Sequence, residues 1–83
     1  MKHIVKYSLS AAGFPTSIAI DRDPIGFSIQ DGFPTVWVED AGGPYVGRQF
    51  VVAGLGSALP DEARHWGSIA DGGIVWHLYE IPT

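Results

Sequence analysis

Short apolar runs alternate with polar positions along this chain, and Gly, Pro and Asp interrupt them at spacings too short for helices. Residues 2–9 read as a first strand, with Val5, Tyr7 and Leu9 on one face and Lys6 and Ser8 on the other. Residues 11–15 form a loop, residues 16–21 a second strand rich in β-branched side chains, and Asp23-Pro24 breaks it. The clearest alternation follows, with Ile25, Phe27 and Ile29 set against Gly26, Ser28 and Gln30. Asp31-Gly32 supplies the two positive-φ residues of a type I′ turn. Residues 33–39 return with Val36 and Val38 opposite Trp37 and Glu39. Pro34 cannot donate to a ladder, so it belongs at an edge or at the start of a strand.

Residues 40–44, Asp-Ala-Gly-Gly-Pro, have the composition of a flexible surface loop. Residues 45–53 make another strand, 54–60 an irregular stretch, and 60–64 one helical turn with Pro at its first position and acids in the first turn. Residues 65–70 and 74–81 form a second hairpin around Asp71-Gly72-Gly73. In its last strand both faces are largely apolar: Ile74, Trp76 and Leu78 on one, Val75, His77, Tyr79 and Ile81 on the other. Such a strand is central in its sheet or covered by a second subunit. The expectation is one all-β domain over residues 1–83, mainly antiparallel, with six or seven short strands and at most one helical turn near 60–65.

Composition narrows the function. At 83 residues and 46% hydrophobic, the chain folds but buries only about 60–65% of its unfolded surface, which favours homo-oligomerisation. Charged residues make up 17%, against an average of about 25%, so much of the surface is neutral. The absence of Cys removes disulfides, zinc ribbons and thiolate chemistry. Net charge is −4, and Lys2, Lys6, Arg22, Arg48 and Arg64 are scattered, which argues against a long nucleic acid as partner. Two or three cations still suffice for a small anion. Lys6 interrupts the apolar start, and no signal core or run of about 18 apolar residues occurs, so a soluble, intracellular protein with no membrane partner is expected.

Candidate chemistry is sparse. His3, His65 and His77 have no short ligand spacing, so no metal site is expected, although strand pairing can join distant histidines. Ser57, His77 and Asp71 assemble a hydrolytic set on paper, yet no nucleophile-elbow pattern supports it, and no catalytic residue or cofactor is assigned. Gly54-Leu55-Gly56-Ser57 follows a strand and has the makings of a backbone anion nest, or of an ordinary glycine turn. The aromatic residues carry more weight. Trp37, Trp66 and Tyr79 can stack on nucleobases, or else pack an interface between sheets or subunits.

The pieces at 2–7, 27–37, 48–61 and 72–80, the last reading Gly-Gly-Ile-Val-Trp-His-Leu-Tyr-Glu, resemble a family of short uncharacterised proteins of tailed bacteriophages and prophages. That resemblance implies an accessory protein in the cytoplasm of an infected bacterial host. One class of small phage proteins consists of non-enzymatic sponges that sequester a cyclic nucleotide immune signal without cleaving it. On that reading Arg48 contacts phosphate and Lys6 is a second cation. Gly54, Gly56 and Ser57 supply hydrogen bonds, and Trp37, Trp66, His77 and Tyr79 stack on bases within a homo-oligomer. The alternative is a protein–protein interaction module, an inhibitor of a host protein or a minor virion component.

Overall fold

A computed structural model describes residues 1–82. It contains seven strands: β1 (His3–Ser8), β2 (Thr16–Ile20), β3 (Gly26–Gln30), β4 (Phe33–Asp40), β5 (Val46–Ala53), β6 (Arg64–Asp71) and β7 (Ile74–Ile81). All pairings are antiparallel, in a three-stranded sheet ordered β1-β4-β3 and a four-stranded sheet ordered β2-β5-β7-β6. The apolar alternation therefore closes as a two-layer sandwich.

Val36 and Val38 of the smaller sheet meet Ile18, Ile20, Phe50, Val52 and Leu78 of the larger one. Leu9 seals one end, and Val5, Tyr7, Phe27, Trp66 and Trp76 flank the centre. The β3–β4 turn is built as its sequence demands, with Asp31 at φ 52° and Gly32 at φ 80°. Between β6 and β7 the two positive-φ positions fall on Gly72 (58°) and Gly73 (81°), so Asp71 ends the strand, paired with Ile74, and the turn is Gly-Gly. Pro34 is the second residue of β4, at the start of a central strand, and its carbonyl accepts the Leu9 N–H at 2.8 Å. Of the two readings its apolar faces allow, a central strand or one covered by a second subunit, the central position of β7 is observed.

Two local expectations need correction. Residues 60–64 form no helical turn: the Ala63 N–H bonds to the Pro60 carbonyl at 3.0 Å in a single tight turn, and β6 begins at Arg64. One turn with no apolar face to bury gains too little to nucleate a helix. Residues 40–44 are also more constrained than their composition implies. Asp21 Oδ2 accepts the Ala41 and Gly43 N–H groups at 3.0 and 3.1 Å, and Asp40 Oδ1 accepts Gly42 N–H and the Tyr45 hydroxyl at 2.9 and 2.7 Å. That last bond lowers the Asp40 pKa and pushes the Tyr45 phenol up to about 12.

Candidate functional site

The residues expected to form one ligand site lie on four separate surfaces. Lys6 and Trp37 are cross-strand partners on the outer face of the smaller sheet. Lys6 Nζ donates to Gln30 Oε1 at 2.9 Å and sits 5.6 Å from the Trp37 ring centre. Trp37 Nε1 donates to Ser28 Oγ at 2.8 Å, and its ring lies beside Gly26, where a Cβ would meet it at 3.7 Å.

Arg48 is committed elsewhere. Its Nε and one terminal nitrogen donate to the two Glu80 carboxylate oxygens, both at 2.7 Å, and its other terminal nitrogen pairs with Asp23 at 3.0 Å. Trp66 Nε1 donates to the same Glu80 carboxylate at 3.1 Å, while the Arg64 guanidinium stacks on the Trp66 ring at 4.5 Å. Side-chain exposure is only 18% for Arg48 and 16% for Glu80. Hydrogen bonding to Arg48 lowers the Glu80 pKa, and the same bond raises that of Arg48. Arg48 and Trp66 thus form a structural clasp at the mouth of the sandwich, and a phosphate could reach the guanidinium only by displacing carboxylates. Lys2 and Arg22 are likewise paired, with Glu39 at 3.2 Å and Asp21 at 3.6 Å, so no basic stripe is presented.

The glycine loop is turned inward. Gly54 N–H donates to Ser57 Oγ at 3.0 Å and Ser57 N–H to the Gly54 carbonyl at 3.1 Å, which consumes two donors that an anion nest needs. A Cβ at position 54 would lie 3.1 Å from Trp76 Cζ3, so close packing against that ring accounts for the glycine. Gly56, at φ 83°, completes the turn, and Leu55 at its tip is fully exposed. Gly54→Ala is expected to cost about 1–2 kcal/mol by crowding Trp76. Thermal unfolding checks this, and an unchanged melting temperature would disprove the packing account.

His77 and Tyr79 do share a surface, the outer face of the larger sheet, and they share it with two residues not assigned to the site from sequence. His65 packs against Tyr79 edge-on at 5.2 Å, and Ser68 Oγ lies 2.6 Å from His77 Nδ1 and 2.9 Å from His65 Nε2. The strand period puts Ser17 and Ala19 of β2 on this face, with Gly47, Gln49, Val51 and Ala53 of β5. Val75, His77, Tyr79 and Ile81 of β7 join them, and β6 adds His65, Ser68 and Ala70. None of these positions is Lys, Arg, Asp or Glu. At one end, Leu55, Gly73, Ile74, Val75 and His77 line an apolar surface groove of about 440 Å³.

Among the described residues, no group of three or more His, Asp or Glu is placed to hold a metal ion. No helix there is long and apolar enough to cross a membrane.

The architecture is that of an all-β, two-sheet domain with one uncharged outer face. The chain belongs to the family described as Domain of unknown function (DUF7352), which matches residues 1–83. No curated protein and no solved structure matches it.

Proposed function

We propose that this protein is a non-enzymatic binding module that works as a homo-oligomer through the outer face of β2-β5-β7-β6. The observation that carries the reading is that no described side chain on that face is Lys, Arg, Asp or Glu, in a chain of net charge −4. A two-fold contact joins the same patch of two copies, so acids near the axis would face their own copies and repel, and a neutral face avoids that cost. The exposed Leu55, Ile74 and Val75 at its edge add apolar surface that gains by being covered.

A narrower reading, sequestration of a cyclic nucleotide by a phage accessory protein, is favoured by one feature of the same face. His65, His77 and Tyr79 offer ring surfaces there, and a second copy opposite them would enclose a base from both sides. Arg48 and Lys6 take no part in such a site, so its phosphate contacts come from imidazole and hydroxyl groups.

Sedimentation velocity across a concentration series tests the module. Wild type is expected to associate, and Val75→Glu, which places a carboxylate on the face, is expected to weaken association at least about tenfold. A monomeric wild type, or a variant that associates equally well, would overturn the proposal. Incubation with a panel of cyclic nucleotides, followed by mass spectrometry of heat-released material, tests the narrower reading. Recovery of an intact nucleotide from wild type but not from Tyr79→Ala supports it, and recovery of none from wild type removes it.

A further inference from the structure

On the outer face of the larger sheet, two imidazole nitrogens converge on a single hydroxyl. His65 Nε2 and His77 Nδ1 lie 2.9 and 2.6 Å from Ser68 Oγ, with ring centres 5.6 Å apart and planes inclined at 56°. Register creates this arrangement. Ser68 pairs directly with His77 across β6–β7, while the β-bulge between His65 and Gly67 inserts one extra residue into β6. Without the bulge, residues three apart would face opposite sides of the sheet; with it, His65 and Ser68 share one side. Tyr79, edge-on to the His65 ring, fixes that ring's orientation.

We propose that His65 Nε2 and His77 Nδ1 are ligands for a divalent transition-metal ion, with the Ser68 hydroxyl or water in a further position. Imidazole pairs suit zinc, nickel and copper, whereas calcium and magnesium take oxygen donors, and the described side chains of this face include no carboxylate. Metal–imidazole bonds are about 2.0–2.1 Å long. The two nitrogens already point at a shared position, so an ion can settle between them once the hydroxyl yields or coordinates. No cation on this face repels the incoming ion, and the negative net charge of the chain favours it. Two protein nitrogens leave coordination positions open, so the site can take an exchangeable ligand or a donor from another molecule.

Isothermal titration of zinc chloride into the protein, in a buffer free of chelators and phosphate, tests the site. One zinc per chain is expected, with His65→Gln and His77→Gln each weakening binding at least about tenfold. His3→Gln, on the other sheet, is expected to bind as wild type does. Absence of binding at micromolar zinc, or binding unaffected by His77→Gln, would overturn the proposal and leave the cluster a simple hydrogen-bond chain. Both histidines are at the surface, so the variants are expected to fold, and circular dichroism verifies it. An Ala19→Glu variant is titrated alongside: it places a carboxylate on the same face but on β2, two strands away from His77, so weakened self-association with retained zinc binding separates this site from the oligomer reading.

Discussion

Phe50→Ala is expected to destabilise the domain by about 3–5 kcal/mol, the largest loss of any single substitution considered. The Phe50 ring is completely inaccessible, at the centre of the cluster where Val36 and Val38 meet Val52 and Leu78. It also supports the clasp, since the Arg48 guanidinium sits 5.6 Å from its ring centre. Removing the ring loses its transfer free energy and leaves a cavity between two sheets that are each too small to collapse around it. A small domain has only about 5–15 kcal/mol in hand, so a sizeable fraction of the variant would be unfolded at elevated temperature. Urea denaturation at two protein concentrations checks this, because self-association adds a concentration-dependent share of stability. A loss under about 1 kcal/mol would be incompatible with a core centred on Phe50.

The strands were legible in the sequence because each buries one face, and burying one face writes a period of two into the residues. Ser17-Ile18-Ala19-Ile20 is the plainest case, with both isoleucines buried and their neighbours exposed, whereas Ile25 stays exposed outside β3, whose five residues are all half-buried. Asp31-Gly32 then sets the register of the hairpin through its backbone angles. The two apolar faces of β7 allowed a central strand or a covered one, and the central position is what the sheet order gives. The candidate site was less legible because it depends on which residues meet across strands. Arg48 looked like a free cation because its partner, Glu80, lies 32 residues away in sequence. Ser68 looked like an ordinary strand residue, and the bulge that aligns it with His65 is signalled only by Gly67, an isolated glycine within the strand pattern. The glycine at position 54 reads as a ligand loop or a packing contact equally well until Trp76 is seen against it. Local pattern therefore reported the layers, while the side-chain clusters waited on register.

Glu80→Ala is expected to cost about 2–4 kcal/mol, because it strands a partly buried Arg48 and orphans the Trp66 indole N–H at once. In a domain of this size that lowers Tm by roughly 10–25 °C. Asp23 remains as a partner for Arg48, but its side chain is 60% exposed and compensates little. Removing both charges is expected to be milder than removing one: Arg48→Met with Glu80→Leu fills the same space without a stranded guanidinium, leaves the exposed Asp23 and the Trp66 N–H without their partners, and recovers part of the loss. The pair also has a pH signature. Hydrogen bonding to Arg48 holds the Glu80 carboxyl below its ordinary value of 4.5, so the folded chain binds that proton less readily than the unfolded chain. The contribution is therefore complete above pH 4.5 and is lost as pH falls through the lowered folded value. Denaturation curves of wild type and Glu80→Gln between neutral and acid pH read this directly. Their stabilities are expected to differ most at neutral pH and to converge in acid. A difference that does not change with pH would show that the charge of Glu80 does not carry the contribution.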